Sequence, residues 1–332
     1  MLNDDIVVSV VCTTYNQREY IVQCLESLLN QVTSFRYEII VHDDASTDGT
    51  SEIVREYAEH YPNVIVPIIE KENLYSKDAT IMTQIIAAAI RGKYVAICEG
   101  DDFWLESNKL ALQVNYMESN KDCSMCVHAV KVINGITDKE VGTIAPSNYE
   151  RDFSTEELLE PPGSGSFFGT NSVMMRSKFY FRPTLYRRWG SVGDYPMFIY
   201  CSLKGRIHYY PGVLSAYRQN ARNSFTSRMA ANPDASISNM ISVIDCLAKF
   251  DEDTKGVYHT VVSRAIQFRR VKIAVRNGDK TILADKEVVK WLETQSHIKK
   301  YFVKLACMSP SWLRRLGYAI TRNPMVHQLL PL

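Results

Sequence analysis

The first hundred residues switch repeatedly between two hydrophobic periods, and this switching limits the fold more than any other feature. Residues 7–13 form a short, β-branched apolar run, which suits a strand buried on both faces. Residues 19–31 then place Tyr20, Ile21, Cys24, Leu25, Leu28 and Leu29 at helical spacing. A second strand over 37–42 leads to a polar stretch and a helix marked by Ile53, Val54, Tyr57, Ala58 and Tyr61, with Thr47 or Asp48 as its N-cap. A third strand over 64–69 precedes a helix marked by Ile81, Ile85, Ile86, Ala89 and Ile90, which Gly92 is expected to end. Residues 94–98 make a fourth strand. Such alternation predicts an α/β fold: a mostly parallel, Rossmann-like sheet flanked by helices.

In such sheets a ligand sits beyond the carboxyl ends of the strands. The residues there are Thr13 to Asn16, Asp43 to Ser46, and Glu99 to Asp102. Two of these three tips carry adjacent carboxylates. Asp101 and Asp102 repel each other, and keeping both ionised requires a cation or strong donors. A Mg²⁺ or Mn²⁺ ion that also holds a diphosphate meets that need; solvated loop acids or a helix cap is the simpler alternative. Asp44 can accept from a nucleobase N–H or a ribose hydroxyl, while it or its neighbours cap the following helix.

Beyond Lys121 the pattern loosens. Strands are expected over 123–133, 167–175 and 206–217, the last broken at Pro211-Gly212. Short helices are expected over 153–159, where Ser154 and Glu157 have capping-box spacing, and over 195–203. Residues 161–165 read as a loop. From about Ala235 the chain turns helical, over 237–250, 257–276 and 281–292. The expected division is a domain over 1–228, in halves of about 1–120 and 121–228, followed by a helical, basic region over 229–332.

A net charge of +1 argues against a globally basic nucleic-acid binder. It conceals a split: residues 251–332 hold 15 basic and 7 acidic side chains, and residues 1–250 hold 23 and 30. No apolar run approaches the roughly 20 residues needed to span a bilayer. The opening MLNDDIVVSV lacks the parts of a secretory signal, and eight scattered cysteines suit buried thiols in a reducing cytoplasm.

Three segments, VSVVCTTYNQREYIVQCLESLLNQ, YEIIVHDDASTDGT and GKYVAICEGDDFW, resemble the signature segments of family 2 glycosyltransferases with the GT-A fold. SGSFFGTNSVMMRS resembles that family's acceptor-side strand, and GSVGDYPMFIYCSLKGRIHYYPGVLSAYR its catalytic-base segment. The match runs over about residues 5–225. The resemblance implies that Thr13, Tyr15 and Asp44 line a nucleobase pocket, and that Asp101 and Asp102 form the metal and diphosphate motif, with Asp102 the direct ligand. It makes Asp194 the general base, against the alternative of a helix N-cap. Glu99 stands where many members have Asp, and Asn220 where many have His. Arg218 and Arg222 are then candidates to clamp the diphosphate.

The activity so implied is inverting transfer of a hexosyl or N-acetylhexosaminyl group from a nucleotide-sugar, a UDP-sugar for preference, with Mn²⁺ or Mg²⁺. The acceptor would be a glycan or lipid-linked glycan in capsule, O-antigen or exopolysaccharide synthesis. Two other classes stay open: a nucleotidyltransferase, though TTYNQREY lacks a Gly-rich basic loop, and a silent nucleotide-sugar-binding module, though all four acids are present. Cys123-x-x-Cys126 lacks partners for zinc and reads as strand thiols. His42 and His128 read as core histidines. Trp104 and Tyr15 suit either ligand stacking or packing. Residues 299–322 interleave apolar and basic side chains, which suits either an anionic membrane surface or a packed helix with solvated charges. The expected location is the cytoplasm, with peripheral contact at the inner face of the cell membrane in the first case.

Overall fold

The computed structural model describes residues 5–159, 167–180, 189, 194–222, 224, 227 and 232–308. The expected loop at 161–165 and the expected basic segment beyond residue 308 lie outside them. In chain order the first elements are β1 (Ile6–Thr14), α1 (Ile21–Leu29), β2 (Arg36–Asp43), α2 (Thr50–His60), β3 (Ile65–Ile69), α3 (Tyr75–Ala89) and β4 (Tyr94–Ile97). Then come β5 (Phe103–Trp104), α4 (Lys109–Ser119), β6 (Cys123–Asn134), β7 (Glu140–Ile144), β8 (Arg151–Phe153) and α5 (Thr155–Leu159). The rest are β9 (Met174–Arg176), α6 (Ser177–Tyr180), α7 (Tyr195–Ser202), β10 (Arg206–Gln219), α8 (Pro233–Asp253), α9 (His259–Asn277), α10 (Lys286–Glu293) and α11 (His297–Met308). No helix among the described residues is long and apolar enough to cross a membrane.

Among the described residues ten strands form one sheet in the order β3-β2-β1-β4-β9-β6-β10-β5, with β7 beside β6 and β8 beside β10. The long ladders, β2 on β1, β3 on β2, β4 on β1 and β6 on β10, are parallel. The short strands β5, β7, β8 and β9 add antiparallel pairs. Alternation along β1 sends Val8, Val10 and Cys12 into a core with Ile21, Cys24, Leu25 and Leu28 of α1, Val54 of α2 and Leu110, Val114 and Met117 of α4. Val11, Ile40 and Val95, on the sheet's other face, are equally buried, so both faces are covered.

Three local expectations meet different solutions. Gly92 does not end α3 in a left-handed turn; that helix closes at Ile90 in extended backbone. Gly92 is needed because a Cβ there would lie 2.4 Å from the Ser9 backbone nitrogen. The expected strand over 167–175 is interrupted by a 3₁₀ turn at Thr170–Ser172 before β9 begins. There the Ser172 hydroxyl donates to the Gly169 carbonyl at 2.6 Å, a local bond that competes with a strand ladder. Finally, Gly49 holds the N-cap position of α2, and Asp48 beside it accepts from the Thr50 N–H at 3.0 Å. The break in β10 is a bulge: Tyr210 pairs with His128 and Val213 with Ala129, leaving Pro211 and Gly212 extra.

The chain forms two compact units. The described residues up to 154, with 167–180 and 197–232, form the first. Residues 155–159, 189 and 194–196 join 233–308 in the second. Its core gathers Val271, Val288, Trp291, Leu292, Val303 and Cys307. Asp285 caps α10 by accepting from the N–H groups of Glu287 and Val288, and pairs with Arg270 at 2.6 Å.

Candidate functional site

Parallel register brings the three acidic or polar tips of the first unit to one edge. The Asp44 N–H donates to the Thr14 carbonyl at 3.0 Å, and the Gly100 N–H to the Thr13 carbonyl at 2.9 Å. A Cβ on Gly100 would meet Gln17 Oε1 at 2.6 Å and Thr14 Oγ1 at 2.8 Å, so a larger residue would displace both side chains. Those two oxygens are buried with no hydrogen-bond partner. Asn16 and Ala45, at the tips of β1 and β2, have φ of 52° and 63°. Both are in the left-handed region, a cost tolerated where neighbours fix the backbone. For Asn16 the fixing bonds are N–H to Ser46 Oγ and Oδ1 from the Thr47 N–H, each 2.8 Å. Thr13 and Tyr15 beside it are half-buried.

The second tip divides its carboxylates between two helices. Asp43 accepts from the hydroxyls of Ser46 and Ser51, in and before the first turn of α2. Asp44 accepts from the N–H groups of Leu74 (2.7 Å) and Tyr75 (3.1 Å), where α3 starts. Capping therefore falls to both acids, and Asp44 serves a helix thirty residues downstream rather than the next one. Each carboxylate oxygen retains a free lone pair for a further donor.

The third tip is the most enclosed. Asp101 and Asp102 are 6% and 1% exposed. The Asp102 N–H closes a turn onto the Glu99 carbonyl at 2.9 Å. Its carboxylate accepts from the Arg218 N–H (2.9 Å) at one oxygen and from Asn171 Nδ2 (3.0 Å) at the other. Burial, then the charges of Asp101 and Glu99, holds the Asp102 carboxyl well above the usual carboxylate range. Burial likewise raises Asp101, against the opposing charge of Arg218.

Arg218, the expected diphosphate clamp, is engaged with the acidic loop. Its guanidinium donates to the Asp101 carbonyl at 2.7 Å and to Gln23 Oε1, and lies over the rings of Phe103 (4.7 Å) and Tyr20 (5.1 Å). At 3% exposure it acts on the loop rather than toward solvent. Arg222 pairs with Glu19 at 2.7 Å on the surface. Asn220 is exposed with φ of 63°, a backbone position that Asn tolerates better than most residues.

The residues fit a divalent cation. Asp101 and Asp102 are adjacent hard oxygen donors with Arg218 as counter-charge, and burial raises the cost of ionising both. Among the described residues no three His, Cys, Asp or Glu side chains suffice to hold an ion. An ion here would thus complete its shell from phosphate and water, as Mg²⁺ commonly does.

Asp194 lies in the second unit, directly before α7. In the same unit, Trp189 Nε1 donates to Asp253 at 2.8 Å and its ring meets Phe250 edge-on. Tyr195 donates from its hydroxyl to the Leu159 carbonyl at 2.8 Å, and the Arg269 guanidinium lies 5.4 Å from its ring.

Three residues emerge that the sequence reading passed over. Asn171 is fully buried and binds Asp102, the Ala216 carbonyl (2.8 Å) and the Ser215 hydroxyl (2.9 Å). Ser215 is its anchor on β10. Lys109 is fully buried, with Nζ 4.1 Å from the Trp104 ring and 2.8 Å from Gln113 Oε1, and burial pushes it down to about 7. The polar triplet Thr170-Asn171-Ser172 inside an apolar run was the available signal for Asn171. Trp104, which donates to the Asn171 carbonyl at 3.1 Å, belongs to the core. So do His42, His128, Cys123 and Cys126, all buried.

Comparison with known proteins agrees with this architecture. An uncharacterised Mycobacterium tuberculosis protein is 34% identical over 230 residues, 66% of this chain and 60% of its own length. This chain therefore spans about 60% of that relative. An Escherichia coli protein named UDP-Glc:alpha-D-GlcNAc-diphosphoundecaprenol beta-1,3-glucosyltransferase is 32% identical over 114 residues, 34% of this chain and 42% of its own. The structure of S. aureus TarS 1-349 in complex with UDP-GlcNAc superposes with a TM-score of 0.59 at 16% identity, covering 98% of this chain and 84% of that one, a likeness of fold. The family model "Glycosyl transferase family 2" matches residues 9–181, more than half of the chain, and the chain belongs to that family.

Proposed function

We propose that this chain is an inverting, metal-dependent glycosyltransferase that moves a hexosyl or N-acetylhexosaminyl group from a UDP-sugar to a hydroxyl of a glycan acceptor in surface-polysaccharide synthesis. The observation that carries this reading is the buried Asp101-Asp102 pair, held above the normal carboxylate range at the carboxyl edge of a parallel sheet. Support for the donor comes from TarS, whose structure was determined with UDP-GlcNAc. Support for a lipid-linked acceptor comes from the E. coli relative, whose name specifies a diphosphoundecaprenol-linked sugar. In this reading residues 1–228 form the catalytic domain and 229–332 an accessory region.

Thr13 and Tyr15 line the nucleobase pocket, and Asp44 accepts from the base or ribose. Asp102 and Asp101 would hold a Mn²⁺ or Mg²⁺ ion, which would supply positive charge against the departing diphosphate. Arg218 and Asn171 keep Asp102 oriented for that task. Asp194 accepts the proton of the acceptor hydroxyl while the hydroxyl oxygen bonds to the anomeric carbon. The bond from that carbon to the diphosphate breaks, and its electron pair leaves with the nucleoside diphosphate. One base suffices, and no covalent intermediate forms.

A panel of nucleotide-sugars assayed for nucleoside diphosphate release, with and without Mn²⁺, tests the reading. Release from a UDP-sugar that requires the ion and disappears in Asp102→Asn and Asp194→Asn is expected. Turnover unchanged in either variant would overturn its assigned role.

A further inference from the structure

The helix α11 has two apolar faces. Val303 and Cys307 are fully buried in the second unit's core, beside Trp291 and Leu292. Yet Tyr301, Leu305 and Met308 are 65%, 48% and 61% exposed. Spaced at i, i+4 and i+7, they form one line on the solvent side. A surface helix ordinarily shows polar residues there. Lys300 and Lys304 lie beside this line in the helical repeat. The helix contains no acidic residue, and residues 294–332 carry six basic side chains and no acidic one.

We propose that α11 docks the protein on an anionic lipid surface, with Tyr301, Leu305 and Met308 entering the headgroup layer and Lys300 and Lys304 meeting lipid phosphates. A helix that lies in a membrane interface combines an outward apolar stripe with flanking lysines. The complete loss of acids over 294–332 suits a continuous negative surface, whose attraction acts on every nearby lysine or arginine. An acidic protein partner would need a carboxylate placed for each lysine and a shaped pocket for the stripe. The bilayer needs only depth and charge. The inference is independent of the transfer reaction, since binding is read without donor or acceptor.

Sedimentation of the full chain with vesicles tests it, using phosphatidylcholine alone and phosphatidylcholine mixed with phosphatidylglycerol, at low and high salt. The chain should pellet with the mixed vesicles, much less with the neutral ones, and be partly released by salt. Two variants, Tyr301→Ser/Leu305→Ser/Met308→Ser and Lys300→Glu/Lys304→Glu, should each bind at least tenfold more weakly with unchanged circular dichroism. Failure to pellet with mixed vesicles would overturn the proposal. So would full binding by both variants, or a dimer in vesicle-free solution that the apolar variant loses.

Discussion

Asn171 ties the acidic loop to β5 and β10. Its amide holds Asp102, its Oδ1 takes the Ser215 hydroxyl, and its carbonyl takes the Trp104 indole N–H. Replacing it with Ala leaves the Ser215 hydroxyl and the Ala216 carbonyl without this partner inside the fold, at a cost of about 1–3 kcal/mol for such a buried group. Asn171→Ala should lower stability in urea by about that amount and weaken Mn²⁺-dependent donor binding. Ser215→Ala, which removes one neutral bond, should leave donor binding intact. Wild-type donor affinity in Asn171→Ala would mean that Asp102 needs no orienting. The acids were legible because a doubled carboxylate after a strand is a local pattern. Asn171 was not, because its partners lie 44, 45, 67 and 69 residues away along the chain.

Lys109 gives the same scale a pH dependence. Burial lowers it to about 7 in the folded protein, against about 10.4 when unfolded. Between those values the unfolded chain holds the proton and the folded chain does not. Stability contributed by this group therefore rises with pH from about 7 toward 10, by on the order of 1 kcal/mol per unit at most. Below pH 7 both states are protonated, and the burial penalty is constant. Lys109→Met should flatten this slope and raise stability at pH 6–7, where the buried charge is most costly. Equal slopes for the two proteins in urea titrations at pH 7, 8 and 9 would remove Lys109 as their source.

At the scale of elements, the link from α3 to β4 rests on contact between backbones. Ser9 and Glu38 are buried polar residues on β1 and β2, and they receive the turn that follows α3. Ser9 donates to Glu38 at 2.6 Å and accepts from the Gly92 N–H at 2.8 Å, while the Arg91 guanidinium donates to Glu38 at 2.6 Å. Gly92 must then pass so close to β1 that a methyl would strike Ser9 N, Val8 C and Tyr94 O, all backbone atoms. Rigid neighbours cannot yield as a side-chain tip would. Gly92→Ala should therefore cost about 3 kcal/mol, at the upper end of overpacking effects, measurable by urea denaturation. Gly142→Ala, with open space around it, should change little. The strand–helix alternation here could be read from periodicity because each element buries its own apolar face. The reason for Gly92 could not, since it depends on how closely two backbones approach. The turn at 170–172 was hidden for a related reason: its apolar neighbours imitate a strand, and the deciding bonds come from side chains.

Over the whole molecule, the division into units does not follow one cut near residue 228. Residues 155–159, 189 and 194–196 precede β10 in sequence but belong with α8 to α11. Their anchors explain this. Trp189, 1% exposed, reaches Asp253 and Phe250, 64 and 61 residues downstream, and Tyr195 binds the end of α5. Such pairings leave no periodic trace, so the motif around Asp194 was legible while its attachment was not. In the proposed reading Asp194 acts in transfer and not in donor binding, so a change at Trp189 in the same unit should separate the two. Trp189→Phe keeps most of the ring packing but removes the indole N–H that Asp253 accepts. It should leave the affinity for UDP-sugar unchanged and lower kcat, while amide exchange quickens at residues 194–196 and at the C-terminal end of α8. If affinity for the donor falls in step with kcat, the separation of Asp194 from donor binding is wrong.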